Sequence, residues 1–300
     1  MTEARSKFNN LYVPGLFAVA QEAYKRHADT WKKVYSVRSS SKAYEESSYV
    51  SGFGYLTKKP EGTGFTFDDR IQGPKKVWNH DAYALACRIT EEAIEDDLYS
   101  VMSQAMKGLG TSAAATRHLI AVRMLMNATE TTYHTCGDGK ALCADDHVRL
   151  DGGTWDNLGS AAAPTTATVE AAVAAFENIV DHRGKRYDQK AKTIVCGPTL
   201  EFTMAKILES VLVAENANNA NNTLKTRRSL TLEIESEITD NRWFVQGTKD
   251  PDIGLIWFDR KKPVTRRHGD PDTGDSIFSI YTRFSNECND PRQIYMVPAA

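Results

Sequence analysis

The sequence has no long hydrophobic run and almost no net charge. None of its apolar stretches approaches the ~20 residues of a membrane-spanning helix. The formal net charge is −2, so no overall basic field would attract nucleic acid. The first residues lack the apolar core of a signal peptide, and the five cysteines are scattered and odd in number. These absences predict reduced thiols in a cytosol and no disulfide framework.

The patterns of the common catalytic sites are also missing. There is no G-x-S-x-G, Walker A or H-E-x-x-H pattern. Residues Gly108–Ala113 match G-x-G-x-x-A, but that fingerprint needs a preceding strand, and a helix is predicted here. Asp270, Asp272 and Asp275 resemble a calcium loop only in part, because Tyr281 stands where an EF-hand has glutamate. We therefore predict no catalytic, cofactor-binding or metal-binding residues and do not expect an enzyme.

One cluster leaves a metal-dependent α+β enzyme open as an alternative. His134, Cys136, Cys143 and His147 lie in a short, turn-rich stretch. Two thiolates and two imidazoles could form a tetrahedral zinc site. The two cysteines are farther apart than in the usual C-x₂₋₄-C pair, so a loop with ordinary cysteines and histidines is the preferred interpretation.

The longest periodic segment runs from Thr90 to Ala128 and predicts a spine helix. Apolar or small residues recur in steps of three and four, which places them on one helical face. They are Ile94, Leu98, Val101, Ala105, Leu109, Ser112, Ala115, Leu119, Val122 and Met126. Thr90 is the predicted N-cap. Gly108 and Gly110 each weaken a helix interior by roughly 1 kcal/mol relative to alanine, so we predict a hinge there.

A long β-hairpin precedes the spine helix. Phe53 and Tyr55, and then Phe65 and Phe67, alternate on either side of the turn-rich segment Lys58–Gly64. The distal half, Lys58–Gly73, is too polar to bury itself, and an isolated ribbon is marginal in water. We therefore predict that a neighbouring subunit covers it. The candidate inter-subunit residues are Lys58, Lys59, Glu61, Phe65, Phe67, Asp68, Asp69 and Arg70.

The remaining segments predict an α+β protein. Pro14 is suited to the first position of a helix, and the polar residues 38–51 indicate an extended arm. Beyond residue 160, helices are predicted near 169–180 and 198–211. Strands are predicted near 192–197, 230–238, 242–247 and 253–258, and two more lie within 276–297.

The order of these parts resembles the major head protein of Mu-like tailed phages, a branch of the HK97-type capsid fold. No single segment is a catalytic signature, and it is their shared order that is specific. The segments are Lys42–Glu46, Gly52–Gly54, Lys59–Gly62, Ile89–Glu91, Asp96–Tyr99, Gly137–Cys143, His147, Gly152–Thr154, Asn218–Asn219, Gly254–Leu255, Phe258–Arg260, Gly269–Asp270 and Asp272–Thr273.

This resemblance implies a division of the chain. Residues 1–51 would form the N-terminal arm, and residues 52–89 the E-loop hairpin. Residues 90–159 and 256–300 would form the P-domain with the spine helix, and residues 160–255 the A-domain.

The resemblance also implies a function. The subunits would self-assemble into hexamers and pentamers of an icosahedral virion capsid that encloses double-stranded DNA without sequence-specific binding. Assembly in the bacterial host cytoplasm would involve a separate scaffolding protein, a portal and in some cases a decoration protein, without a membrane or cofactor. An encapsulin-type cellular compartment of the same fold is the alternative.

Overall fold

The computed structural model describes residues 9–27, 29–90, 92–93, 99–212, 221–250, 253–270 and 273–300. The helices are α1 (Asn9–Arg26), α2 (Tyr99–Met126), α3 (Thr166–Glu177), α4 (Glu201–Glu209) and α5 (Thr223–Arg227), with 3₁₀ turns at Thr30–Lys33 and Pro198–Leu200. The strands are β1 (Ser36–Ser39), β2 (Tyr44–Ser47), β3 (Lys76–Asn79), β4 (Asp81–Ile89), β5 (His147–Val148), β6 (Thr154–Trp155), β7 (Ala191–Cys196), β8 (Thr231–Ile234), β9 (Trp243–Gly247), β10 (Ile256–Gly269), β11 (Ser276–Glu287) and β12 (Ile294–Val297). The predicted α+β class is confirmed.

The first large sheet carries the spine helix on one face. Its strand order is β1-β10-β11-β4, with β1 parallel to β10 and the other pairs antiparallel. Alternate residues of β11, among them Phe278, Ile280 and Phe284, are buried. Because side chains alternate between the faces of a strand, these residues form a single apolar surface. Helix α2 packs on this surface, and α1 packs on α2.

The second large sheet has the order β12-β9-β7-β8 and is covered by α3 and α4. The sequence analysis placed residues 256–300 in the P-domain with the spine helix. In β12, Ile294 and Met296 share a hydrophobic cluster with Met124 and Leu125 of α2, while the backbone of the strand belongs to the second sheet. Ile294 of β12 pairs with Gln246 of β9 in the second sheet. Every residue of β9 is buried, so its backbone groups need hydrogen-bond partners on both sides. Strand β12 supplies the partners on one side.

The N-terminal segment is built into the core. Trp31, from the first 3₁₀ turn, lies 4.4 Å from Trp257 of β10, measured between ring centroids. The Tyr35 hydroxyl donates a hydrogen bond of 2.8 Å to the carbonyl oxygen of Ala121 in α2. Residues 38–51 are therefore not simply an extended arm, since they contain β2 and the end of β1. Helix α1 also begins at Asn9, before the predicted start.

The base of the hairpin differs from the prediction. Residues 77–89 do not form one continuous limb, because the strand is divided at His80. Strand β3 pairs with β2, whereas β4 pairs with β11. The hairpin therefore begins at Tyr44 rather than at Gly52. The polar sequence of β2 concealed this strand, since it carries little of the apolar alternation by which strands are identified.

Helix α2 is continuous through Gly108 and Gly110, so the G-x-G-x-x-A match lies inside a helix. The backbone N–H of Ala93 donates to Thr90 Oγ1 over 3.3 Å, which is the kind of bond expected of the predicted N-cap. Residues 91 and 94–98, which include acidic residues and part of the predicted stripe, lie outside the described residues.

The buried stripe of α2 is displaced from the predicted one. Ala115 is exposed, whereas Arg117 is buried. Of the predicted stripe, Leu109 and Val122 are buried. The buried residues of α2 are Met102, Met106, Leu109, Gly110, Ala113, Ala114, Arg117, His118, Ile120, Ala121, Val122, Met124 and Leu125. The predicted stripe left out Arg117 because it was built from apolar or small residues only, although an arginine side chain can be buried when its guanidinium is paired.

The two glycines of α2 have different surroundings. A Cβ atom at Gly110 would lie 2.1 Å from the carbonyl oxygen of Ala20 in α1, whereas a Cβ atom at Gly108 would meet nothing within 4 Å. Gly110 therefore permits the close approach of two helices. The proposed hinge at Gly108 and Gly110 stays a prediction, but its two members need separate tests.

We expect Gly110→Ala to destabilise the subunit by about 1–3 kcal/mol, because the added methyl group forces α1 away from α2. Gly108→Ala is the matched control and should stabilise it by up to about 1 kcal/mol through helix propensity. Urea unfolding of both variants measures the difference. Equal effects would contradict the packing role of Gly110.

Candidate assembly interface

The hairpin of residues 44–79 is paired only near its base. Beyond β2 and β3, Gly73 N donates to Tyr49 O over 2.7 Å, and Ser51 N donates to Ile71 O over 2.8 Å. No strand is assigned in residues 52–70, all of which the structure describes. The distal part is thus not held by a continuous ladder of backbone hydrogen bonds.

A tight turn reverses the chain at the tip. Thr63 N donates to Pro60 O over 3.3 Å, and the Thr63 hydroxyl donates to the same oxygen over 2.7 Å. Gly62, the third residue of the turn, has a φ of +76°. This left-handed conformation suits glycine in a type II turn, so the tip has a defined local geometry.

The distal part exposes large apolar side chains. The exposed fraction is 100% for Leu56, 94% for Phe67, 78% for Phe65, 76% for Tyr55 and 55% for Phe53. Monomeric proteins rarely expose apolar side chains in such a group, and such patches mark contacts with other molecules. The sequence analysis did not include Phe53, Tyr55 and Leu56 among its candidate residues, although the first two belong to its strand pattern.

All eight predicted interface residues lie in this distal part and are exposed. The Lys59 ammonium lies 4.6 Å from the centroid of the Phe65 ring. The Arg70 guanidinium lies 5.9 Å from the Phe53 ring centroid. Cations over aromatic faces attract weakly at exposed sites. The tip therefore presents apolar rings beside charges of both signs.

Asp68 connects the two limbs of the hairpin. Its Oδ2 accepts a hydrogen bond of 2.7 Å from Gly54 N on the opposite limb. This backbone bond, together with the Arg183 guanidinium, lowers the pKa of the Asp68 carboxyl from its ordinary value. The ionised carboxylate thus replaces a missing strand bond.

Arg183 reaches the hairpin from the loop that follows α3. It forms an ion pair with Asp68 and donates a hydrogen bond of 2.8 Å to the carbonyl oxygen of Asp69. No signal in the sequence could have identified Arg183, because 115 positions separate it from Asp68.

A buried polar chain lies at the hairpin base. His80 Nε2 is 3.2 Å from Ser40 Oγ, and His80 Nδ1 is 3.0 Å from Ser285 Oγ. The Ser285 hydroxyl donates to Glu287 Oε1 over 3.1 Å. Burial raises the pKa of Glu287 to about 8, with a further contribution from the Glu45 carboxyl. This chain links the strand break at His80 to β11.

The residues considered as zinc ligands are engaged in other contacts. His134 Nε2 lies 2.9 Å from Cys288 O, and His147 Nδ1 lies 2.6 Å from Asp138 Oδ2. Burial raises the pKa of the Cys143 thiol well above its ordinary value. Within the described ranges, no three or more His, Cys, Asp or Glu side chains are arranged to hold a metal ion.

The aspartates of the calcium-like pattern have a structural partner. Arg88 forms ion pairs with Asp270 over 3.1 Å and with Asp275 over 3.6 Å. These contacts hold the β10–β11 turn against β4. Asp272 lies outside the described residues.

No helix in the described parts of the chain combines the length and the apolar character needed to cross a membrane.

The fold is that of HK97-type capsid proteins, as comparison with solved structures shows. The chain is similar to a protein of Microbacterium phage Oxtober96, with a TM-score of 0.57 at 7% identity over 90% of each chain. It is similar to the capsid of Cyanophage P-SCSP1u, with a TM-score of 0.56 at 13% identity over 89% of this chain and 86% of that one. A virus-like particle from Pyrococcus furiosus gives a TM-score of 0.51 at 12% identity over 95% of this chain and 98% of that one.

The sequence itself places the chain in a family. The model of the family described as phage capsid protein matches residues 75–297, which is most of the chain. The chain therefore belongs to the phage capsid protein family, and it is a major capsid protein, a structural subunit of a shell. No curated protein matches the sequence. The Mu-like branch is not distinguished by these comparisons and stays a prediction.

The raised pKa of Glu287 predicts that the free energy of unfolding depends on pH. The pKa of its carboxyl is 4.5 ordinarily and about 8 in the folded subunit. At a pH between these values the carboxyl is ionised in the unfolded chain and protonated in the folded one. Its contribution to the free energy of unfolding is therefore largest below this window and falls as the pH rises through it, by at most about 1.4 kcal/mol per pH unit.

In Glu287→Gln this titration is absent, so the variant should gain stability relative to wild type between pH 5 and pH 8. Urea unfolding of the unassembled subunit across this range tests it. Parallel stability curves for the two proteins would show that the carboxyl does not change its protonation on folding.

Proposed function

We propose that this chain assembles into hexamers and pentamers of an icosahedral head that encloses double-stranded DNA of a tailed phage or prophage. The observation that carries the proposal is the group of exposed apolar side chains on the distal hairpin. Burying such side chains against another subunit is favourable by roughly 25 cal/mol per Å² of apolar surface.

The unpaired backbone of the distal hairpin supports the same conclusion. Exposed strand edges form hydrogen bonds with other chains unless something covers them. A neighbouring copy is the natural cover in a shell built from one subunit type. Pairing one subunit's hairpin with the next is a head-to-tail contact, which generates closed rings when the rotation closes.

The eight predicted residues are proposed to act in this contact. Phe65 and Phe67 would supply the apolar surface. The charged members would set the register, because opposite charges across an interface suppress wrong alignments. These members are Lys58, Lys59, Glu61, Asp68, Asp69 and Arg70.

The remaining parts of the proposal rest on the resemblance to tailed-phage head proteins. Assembly would take place in the bacterial host cytoplasm with a separate scaffolding protein, a portal and in some cases a decoration protein. The mature protein would reside in the virion. The DNA would be enclosed without sequence-specific contacts, which agrees with a net charge of −2.

An encapsulin-type compartment of the same fold is the second candidate. The fold is also similar to that of a virus-like particle from Pyrococcus furiosus. Nuclease digestion of native particles separates the two. A virion protects DNA of genome length, whereas a cargo compartment contains protein and leaves no protected genome. Recovery of particles with cargo enzymes and no DNA would favour the compartment.

Removal of the distal hairpin should abolish the shell and spare the fold. Replacing residues 55–67 with Asn-Gly keeps the contact between Gly54 and Asp68 and closes the hairpin with a two-residue turn. We expect size-exclusion chromatography and electron microscopy to show small species only. Circular dichroism and thermal melting of the free subunit should change little, since the removed residues are largely exposed. Closed shells from this variant would overturn the proposed role of the hairpin.

A point-substitution pair refines the test. Phe65→Ser with Phe67→Ser removes apolar surface and should block assembly, whereas Phe65→Leu with Phe67→Leu retains most of that surface and should assemble. If both pairs assemble equally well, these rings are not part of the contact.

A further inference from the structure

A loop of residues 181–186 after α3 approaches the hairpin from the side. The Asp181 carboxylate accepts hydrogen bonds of 2.8 Å from Arg183 N and from Lys185 N. Asp181 N donates to Lys185 O over 2.7 Å. These bonds within the loop fix its conformation, and none of them involves the hairpin. The direction in which Arg183 leaves the backbone is therefore set in advance.

Arg183 contacts both limbs of the hairpin. Its Nε donates to Gly52 O on the first limb over 3.4 Å, and its Nη2 donates to Asp69 O on the second limb over 2.8 Å. The same nitrogen forms the ion pair with the Asp68 carboxylate. A guanidinium can serve three acceptors at once because it is a planar group with five N–H donors.

These contacts begin where the backbone pairing stops. The last cross-limb backbone bond is Ser51 N to Ile71 O. Gly52 lies one residue beyond it on the first limb, and Asp69 lies two residues beyond it on the second. Arg183 thus holds the two limbs together at the first position where the strand ladder no longer does so.

The residues next to Arg183 in the loop contact the first limb of the hairpin. The His182 ring stacks on the Tyr49 ring at 4.3 Å with an interplanar angle of 5°. The Lys185 ammonium lies 5.9 Å from the Tyr55 ring centroid. His182 is itself fixed, because its Nε2 is 2.7 Å from Nη1 of the buried Arg292. The loop is therefore a rigid support and not a mobile one.

From this geometry we propose that Arg183 is a positioning residue for assembly, which holds the distal hairpin in the orientation that a neighbouring subunit accepts. The inference rests on the proposed function and adds a residue outside the hairpin to it. Without Arg183 the hairpin would sample many orientations, and docking would have to order it. Binding segments that are already ordered lose less entropy on association, so their affinity is higher.

The experiment compares Arg183→Ala with Arg186→Ala as the matched control. Arg186 lies in the same loop, but its Nη1 donates to Asn178 O over 2.7 Å and not to the hairpin. Light scattering gives the critical concentration for shell formation. Hydrogen exchange of residues 52–70 in the free subunit gives the order of the hairpin independently of assembly.

We expect Arg183→Ala to raise the critical concentration about fivefold, the size of effect expected for loss of an exposed charged contact. Amide exchange in residues 52–70 should become faster, with an unchanged circular dichroism spectrum. Arg186→Ala should behave as wild type. Arg183→Lys keeps the charge and loses the planar fork, so it should fall between the two. Raised salt should weaken wild-type assembly more than that of Arg183→Ala, because only wild type has the ion pair.

Unchanged assembly and unchanged exchange in Arg183→Ala would overturn the proposal, as would easier assembly, which would make Arg183 an inhibitory latch. If Arg183→Ala does not fold, Arg183→Lys decides by the same two measurements, since it keeps the charge and loses the fork that spans both limbs. If wild type itself forms no shells, the proposed function fails, while the exchange measurement still tests whether Arg183 orders the hairpin.

Discussion

The buried pair of Arg117 and Asp259 is the contact on which the rest of the subunit depends. Arg117 leaves the middle of α2, and its Nη2 lies 2.6 Å from Asp259 Oδ1 on β10. The guanidinium lies 5.3–5.6 Å from three aromatic ring centroids, those of Trp31, Trp257 and Phe284. One side chain thus joins the spine helix, the N-terminal segment and two strands of the first sheet. A buried ion pair is weak evidence for stability, but loss of one partner leaves an uncompensated charge, so the pair fixes how these elements must be arranged.

The hairpin, in contrast, has no buried ion pair of this kind among the described residues of its distal part. Its base is connected to this core through β4, but its distal part relies on exposed charges and on a loop from another part of the chain. Exposed ion pairs contribute little stability, so the distal part is held less firmly than the core and depends on a few contacts such as those of Arg183.

Local patterns allowed much of this to be predicted. Val169, Val173 and Phe176 identified α3, and the apolar alternation around Leu232 identified β8. The exposed Phe65 and Phe67 were predicted from the absence of any sequence-adjacent cover. Long-range pairing was not predictable in this way. Strand β10 continues beyond the predicted 253–258 through a run of cations and Pro263, because β11 supplies its hydrogen bonds. Arg117 likewise lies inside only because Asp259, far away in sequence, compensates its charge.

The pairing of the late strands has a consequence for the order of events during synthesis. Strand β1 pairs with β10, β4 pairs with β11, and β9 pairs with β12 on one side. Neither sheet can therefore be complete before residues 256–297 have been synthesised. A ribosome-bound chain that ends before these residues has neither sheet complete, and pairing over such sequence separations is slow. The hairpin base is therefore anchored only when translation of this region is finished. An unfinished chain accordingly lacks the strand to which β4, at the base of its hairpin, is hydrogen-bonded.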